Sequence, residues 1–228
     1  MSSDTGPFPA FKQVKEGASG GRSSSGTPIA ETHPVPQAAL ASKTDAPVRS
    51  TWLRFASPQQ FYPLAGRLLP WLWAVAIVLT LAGLVMGLLI APTDFQQGDA
   101  YRIIFIHVPA AWMSMLIYVV MAFWAGLGLV LNTRLSSMLA TALAPTGALM
   151  TFIALWTGAL WGKPTWGTWW VWDARLTSFF ILLLLYVGYI ALTEAIDDFR
   201  RASNAGALLA LVGAVNVPII YFSVKWWN

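Results

Sequence analysis

Four tryptophans and a carboxylate lie close together between two apolar segments of this chain: Trp166, Trp169, Trp170, Trp172 and Asp173. The indole ring is large and flat, and it can lie at a membrane surface or against a flat ligand. Choosing between these two uses of the tryptophans is the main functional question that the sequence poses.

Two residues shape the backbone around the tryptophans. Gly167 permits a tight turn or the close approach of a ligand. Pro164 is predicted to keep the preceding apolar segment from continuing as a helix. The resulting loop, residues 163–175, can offer a platform for a planar apolar macrocycle such as a porphyrin. The alternative is that these tryptophans only occupy the bilayer interface, as is expected of Trp71, Trp73, Trp156 and Trp161.

A single histidine, His107, lies inside an apolar stretch. A histidine at membrane depth is costly unless it is paired or bound to a metal. Its neutral imidazole is a good ligand for iron, copper or zinc, and the alternative is a hydrogen bond to a neighbouring helix. The other histidine, His33, is predicted to be a solvated bystander in the N-terminal part.

Two charged residues at the end of the tryptophan run each have two interpretations. Asp173 precedes an apolar segment, so it can belong to the ligand site or simply cap a helix by accepting backbone N–H groups. Arg175 can be an interfacial anchor whose guanidinium reaches the headgroups. It can instead form a forked pair with a carboxylate, such as a porphyrin propionate.

The composition excludes several classes of protein. The chain has 228 residues, of which 57% are hydrophobic and 11% charged, against about a quarter charged in a soluble domain. It has no cysteine, which excludes disulfides, zinc–thiolate sites and thiol nucleophiles. No phosphate-binding glycine loop, no serine with an adjacent base and no pair of intramembrane carboxylates occurs.

Five charge-free stretches must position these residues. They are 68–93, 103–133, 135–162, 176–193 and 202–224. A helix rises about 1.5 Å per residue and needs roughly 20 apolar residues to cross the hydrocarbon core. The sequence therefore predicts an all-α polytopic integral membrane protein with five transmembrane helices.

The N-terminal part differs in composition from the rest. Residues 1–66 are rich in Ser, Gly, Pro, Ala and Thr, which predicts a disordered tail, and residues 67–228 are predicted to form the transmembrane domain. Arg49, Arg54 and Arg67 precede the first span, so the positive-inside rule puts the N-terminus in the cytoplasm. His107 and the tryptophan loop then share the outer face.

These residues resemble a known family. The run 166–177 looks like the tryptophan-rich signature of membrane haem-handling proteins. Three further segments, residues 96–98, 101–112 and 216–228, are similar to one branch of these proteins, haem exporter protein C of the cytochrome c maturation system. The resemblance extends over about residues 68–228.

The resemblance implies a haem-binding assembly factor for c-type cytochromes, a delivery and transport protein rather than an enzyme. It implies a multi-pass protein of the bacterial inner membrane that holds haem on the periplasmic side. The haem would be b-type and held non-covalently in transit, with His107 as one axial ligand of the iron. The other cofactor-binding residues that it implies are Trp166, Gly167, Trp169, Trp170, Trp172, Asp173 and Arg175.

The resemblance also implies partners. The periplasmic haem chaperone, maturation protein E, would receive the haem through its own histidine. A pair of ATP-binding-cassette subunits with a small single-span subunit would then release the loaded chaperone. In this family the pattern continues beyond Asn228 to the second axial histidine and a sixth span, so a fragment is expected.

Other functions stay open at this point. The chain can be a membrane subunit of a transporter for a small apolar solute, with purely interfacial tryptophans. A b-type electron carrier is a further alternative, but it normally needs paired axial ligands inside the bilayer. The sequence leaves open whether haem crosses the membrane through this chain.

Overall fold

A computed structural model describes residues 57–226, and of Val224 and Trp226 it describes the backbone alone. The described residues form six α-helices. They are α1 (Pro58–Leu84), α2 (Ile104–Leu131), α3 (Arg134–Trp166), α4 (Ala174–Glu194), α5 (Phe199–Gly213) and α6 (Asn216–Trp226). A π-helical segment, Val85–Ile90, extends α1, and a 3₁₀ segment, Asp99–Ile103, leads into α2.

The predicted all-α membrane fold is confirmed. Within residues 57–226, five helical segments are long and apolar enough to cross a membrane, and their bounds are Pro58–Ile90, Asp99–Leu131, Arg134–Trp166, Ala174–Glu194 and Phe199–Ser223. The fifth segment is interrupted, because α5 ends at Gly213 and α6 begins at Asn216. The side-chain amide of Asn216 donates a hydrogen bond to the Ser178 carbonyl oxygen over 2.9 Å, which ties the start of α6 to α4.

The first helix begins earlier than the composition predicted. Residues 58–66 belong to α1, although the sequence assigned them to the tail. Ser57 is extended and Pro58 occupies the first turn, where its fixed φ suits a helix and its missing N–H breaks no bond. The remainder of the predicted tail, residues 1–56, lies outside the described residues.

The expectation that Pro164 stops the third helix is wrong. Helix α3 continues through Pro164 to Trp166 and ends at Gly167, whose left-handed backbone has φ of 78°. Its N–H donates to the Lys163 carbonyl oxygen over 3.0 Å. Thr165 Oγ1 donates to the Trp161 carbonyl oxygen over 2.7 Å, and such hydroxyl bonds are one way in which apolar helices tolerate proline. The irregular segment is therefore Gly167–Asp173, shorter than the predicted loop.

Helices α2 to α6 form the packed part of the bundle. Tyr118 of α2 and Tyr186 of α4 meet edge to face with their ring centroids 4.9 Å apart, and both are fully buried. The Tyr186 hydroxyl donates to the Ser114 carbonyl oxygen over 2.8 Å. Gly147 of α3 faces the Tyr186 ring so closely that an added Cβ would overlap it. A bulky aromatic residue thus fits against α3 because α3 has no side chain there.

Helix α1 packs against this bundle mainly near its end. Gly87 lies against the Phe105 ring, and the Arg102 guanidinium donates to the carbonyl oxygens of Leu88 and Ala91 over 3.0 and 3.1 Å. Most of the remaining α1 surface is exposed. The π-helical segment is therefore fixed to the start of α2, the region that carries His107.

Candidate functional site

A cavity lies where α2 begins, α3 ends, α4 begins and α6 ends. We call this end of the bundle the tryptophan end. The cavity has a volume of about 660 Å³, which is within the roughly 300–1,000 Å³ of typical cofactor and ligand sites. Its lining residues are Gln97, His107, Val108, Ala111, Trp112, Met115, Ala154, Leu155, Gly158, Trp161, Gly162, Thr165, Trp166, Arg175, Leu176, Phe179, Ile220, Tyr221 and Lys225.

His107 is placed at the cavity by the first turn of α2 and by contacts with α3. Its Nδ1 lies 3.0 Å from the Ala154 carbonyl oxygen and 3.1 Å from Thr157 Oγ1. Gly158 leaves room for the ring, because an added Cβ would lie 3.1 Å from His107 Cε1. His107 is thus compatible with both interpretations drawn from the sequence, because it hydrogen-bonds a neighbouring helix and also lines a cavity.

Trp161 forms the wall next to His107. The two rings meet edge to face with centroids 5.8 Å apart. The indole Nε1–H of Trp161 donates to Gln97 Oε1 over 2.7 Å, and Gln97 itself lines the cavity. The sequence assigned Trp161 only to the bilayer interface and gave Gln97 no individual role. The spacing of Ala154, Gly158, Trp161 and Thr165 on one face of α3 was the signal that could have revealed this wall.

The structure separates the four tryptophans of the run. Trp166, the last residue of α3, lines the cavity. Trp170 packs edge to face on Trp172 and on Phe180 of α4, with centroids 5.3 and 6.2 Å apart. Trp169 and Trp172 are 54% and 73% exposed. These three and Gly167 are not among the residues that line the cavity, so their contact with a ligand stays a prediction.

The Trp170 indole nitrogen is buried without a hydrogen-bond partner among the described residues. A buried N–H of this kind costs free energy unless a partner is supplied. The packed position of Trp170 on α4 therefore leaves one donor available at the tryptophan end.

Asp173 caps α4, which is one of the two interpretations that its position before the apolar segment left open. Its Oδ1 accepts the Leu176 backbone N–H over 2.8 Å. Its Oδ2 accepts from Arg175 Nε and Nη2 over 3.4 and 3.3 Å. Asp173 does not line the cavity itself, so it reaches the cavity only through Arg175.

Two cations line the cavity, Arg175 and Lys225. The Arg175 guanidinium lies 5.6 Å from the centre of the Trp166 ring, in cation–π contact. Lys225 Nζ lies 5.4 Å from the centre of the Tyr221 ring. No carboxylate of the described residues lines the cavity, so it combines apolar walls with positive charge at the tryptophan end. Lys225 was not among the predicted site residues.

The donor set suits a ligand with its own scaffold rather than a bare metal ion. Within residues 57–226, no group of three or more His, Cys, Asp and Glu residues is arranged to hold a metal. One imidazole, five aromatic rings and two cations line a single cavity. This combination matches a flat metallated macrocycle with acidic edges, whose metal needs only axial ligands from the protein.

Comparison with known proteins decides the family. The sequence model of the family described as "Heme exporter protein C" matches residues 51–228. The chain belongs to the haem exporter protein C family. The matched region includes every site residue named from the sequence, so the resemblance drawn from the motifs is confirmed.

Individual members of the family are close in sequence. "Heme exporter protein C" of Escherichia coli K12 is 53% identical over 175 residues, which is 77% of this chain and 71% of that protein. The Bradyrhizobium diazoefficiens protein of the same name is 53% identical over 179 residues, 78% of this chain and 67% of its own length. The Haemophilus influenzae protein is 46% identical over 178 residues, 78% and 72% of the two chains.

Proposed function

We propose that this chain binds haem at the tryptophan end and presents it to a periplasmic haem chaperone during the maturation of c-type cytochromes. The observation that carries the proposal is the joint presence of His107, aromatic walls and two cations in one cavity. Membership of the haem exporter protein C family supports the same ligand. The protein is then a haem delivery and transport subunit rather than an enzyme.

Different cavity residues would bind different parts of the haem. His107 would supply an imidazole to the iron, while Trp112, Trp161, Trp166 and Phe179 would provide ring surfaces for the macrocycle. The iron would contribute the coordination bond to His107 that anchors the haem, and the surrounding side chains would orient the macrocycle. The chain has no cysteine, so the usual thioether attachment of haem is excluded and a non-covalently held, b-type haem is proposed.

The propionates are proposed to lie near Arg175 and Lys225. Both cations line the cavity, and a guanidinium pairs with a carboxylate through two parallel hydrogen bonds. Asp173 holds the guanidinium from its other side, which fixes its direction.

The remaining tryptophans are proposed to serve transfer. Trp169 and Trp172 are exposed, and they follow the left-handed turn at Gly167 that ends α3. The exposed edge of the haem is proposed to rest on this surface as the chaperone approaches. Trp170 fixes the surface to α4 through Phe180.

The second axial ligand is proposed to come from outside the described residues. His107 is the single histidine that lines the cavity within residues 57–226. This second ligand is proposed to be a further histidine, as the resemblance implies. The tryptophan end then faces the periplasm of an inner-membrane protein whose N-terminus is cytoplasmic. The proposed partners are maturation protein E, the ATP-binding-cassette pair and the small single-span subunit.

One observation favours a second candidate function, a subunit that transports a small apolar solute. Trp169, Trp170 and Trp172 lie outside the cavity lining, as tryptophans with a purely interfacial role would. Under this alternative His107 is a packing residue, and the cavity binds the solute without a metal.

Haem transfer tests the proposed function. The chain and the chaperone are co-expressed, and the haem attached covalently to the chaperone is measured for the parent, His107→Ala and the matched control His33→Ala. Loss of loaded chaperone with His107→Ala alone supports haem presentation. Equal loading by all three proteins, with no haem bound to this chain, would favour the solute transporter.

A further inference from the structure

Hydrogen bonds with α3 fix the orientation of the His107 ring. Thr157 Oγ1 lies 2.7 Å from the Ile153 carbonyl oxygen and 3.2 Å from that of Ala154. Carbonyl oxygens only accept, so the Thr157 hydroxyl hydrogen is directed to one of them. The Thr157 oxygen is then free to accept a hydrogen bond from the imidazole.

Both atoms opposite His107 Nδ1 are therefore acceptors. The Ala154 carbonyl oxygen lies at 3.0 Å and Thr157 Oγ1 at 3.1 Å. Two acceptors around one ring nitrogen require that this nitrogen carries the hydrogen in the neutral imidazole. The lone pair is then on Nε2, for which no hydrogen-bond partner occurs within residues 57–226.

Gly158 determines how close the ring comes to α3. A Cβ at this position would lie 3.1 Å from His107 Cε1 and 3.6 Å from Nδ1. An alanine would therefore push the imidazole away from the Ala154 carbonyl oxygen. Adjacent residues of α3 thus provide the Ala154 carbonyl and the Thr157 hydroxyl next to the His107 ring, and Gly158 leaves space for that ring.

We propose that Thr157 and Gly158 are positioning residues that hold His107 in the Nδ1–H tautomer and direct Nε2 to the haem iron. This inference rests on the proposed function, because it assigns roles toward the same ligand. Ligating histidines generally donate their other ring N–H to a fixed acceptor, which sets the tautomer and raises the basicity of the ligating nitrogen. The described residues provide such an acceptor from α3.

The tautomer is testable without haem. The chain has two histidines, so a His33→Ala background leaves the signal of His107 alone in ¹⁵N-histidine-labelled protein. Nuclear magnetic resonance of the haem-free protein at about pH 8, above the usual histidine pKa of about 6.5, identifies the nitrogen that carries hydrogen. We expect hydrogen on Nδ1, and hydrogen on Nε2 would overturn the inference.

The role toward iron is tested with matched variants in the intact complex. Thr157→Val and Gly158→Ala are expected to weaken haem retention about 10-fold and to shift the haem midpoint potential, whereas Thr157→Ser retains parental values. The controls are Thr151→Val, whose hydroxyl donates to the Gly147 carbonyl oxygen without touching His107, and Gly188→Ala, where an added Cβ meets only Leu209 Cδ2 at 3.8 Å. Both should behave as the parent.

The outcomes separate the two levels of the proposal. Parental retention and potential in Thr157→Val, or equal effects of Thr151→Val, would overturn the positioning role while the protein still binds haem. A parent protein that binds no haem would overturn the proposed function, and the iron-directed role with it. In that case the labelled histidine would still report whether α3 fixes the tautomer.

Discussion

Trp161 of α3 donates its indole hydrogen to Gln97 of the first loop, with Nε1 and Oε1 2.7 Å apart. The same indole meets the His107 ring edge to face. The Trp161 ring thereby connects this loop, the wall of the cavity and His107. The loop that follows α1 therefore contributes to the site, although it carries no metal ligand itself.

Replacing Gln97 with Leu tests this connection. The variant removes the acceptor of the Trp161 N–H and should leave that indole free to move away from His107. Loss of one such hydrogen bond is worth about 1 kcal/mol, so we expect haem retention to fall roughly fivefold. The measurement is the haem dissociation rate of the purified protein.

Gln96→Leu is the matched control for this prediction. Gln96 is a neighbouring exposed residue whose backbone N–H donates to Asp94 Oδ1, and the substitution leaves that bond in place. A dissociation rate that changes equally in both variants would mean that Gln97 has no specific part in the site.

The proposed pairing of Arg175 with a haem propionate is tested by removing either the arginine charge or the propionate charge. Arg175→Gln should weaken haem binding about tenfold, because a hydrogen bond between charged groups contributes roughly 1.5 kcal/mol or more. With haem whose propionates are esterified, the parent and the variant should bind equally. Binding affinities for both forms of haem provide the measurement.

The matched control is Arg200→Gln, because Arg200 is exposed and lies at the opposite end of the helix bundle. This variant should bind both forms of haem as the parent does. If Arg175→Gln loses affinity for the ester as strongly as for the acid, the arginine acts on the fold through Asp173 and Trp166 rather than on the propionates.

The tryptophans that line the cavity and those that do not are expected to affect different steps, haem retention and haem transfer. Trp166→Leu should reduce haem retention, since this residue lines the cavity. The double change of Trp169 and Trp172 to Leu should leave the haem spectrum nearly unchanged and reduce the transfer of haem to the chaperone. Absorption spectra and chaperone loading are measured on the same preparations. A lost spectrum in the double variant would show that these two residues hold the haem directly.

Gly147 is predicted to be a stability position rather than a site position. In Gly147→Ala the added methyl would overlap the Tyr186 ring, and overpacking of this kind costs about 1–3 kcal/mol. Thermal unfolding in detergent should therefore occur at a lower temperature. The control Gly188→Ala should unfold within a degree or so of the parent, and equal destabilisation of both would contradict the packing of α3 on α4.

The sequence predicted the elements better than their boundaries. Five charge-free stretches revealed the five spans because membrane helices must exclude charge over their whole length. The interruption between Gly213 and Asn216 was not visible, since apolar residues continue on both sides of it. The helix through Pro164 was mispredicted because hydroxyl and backbone bonds of its neighbours compensate for the missing N–H.

The candidate site was predicted in part for similar reasons. Local signals located Asp173, whose cap needs only the following turn, and His107, whose position in an apolar stretch of the sequence marks it out. The contact of His107 with Ala154 joins residues 47 positions apart and depends on how α2 packs on α3. Periodicity within one helix cannot reveal such a contact, so Gln97 and Lys225 were also missed.

The Soret absorption of the purified parent, of His107→Ala and of the control His33→Ala tests haem ligation by this cavity most directly. We expect a Soret band in the parent and the control, and a weakened or shifted band in His107→Ala while the variant still inserts in the membrane. Identical bands in all three proteins, or no band in any of them, would contradict a haem held through His107.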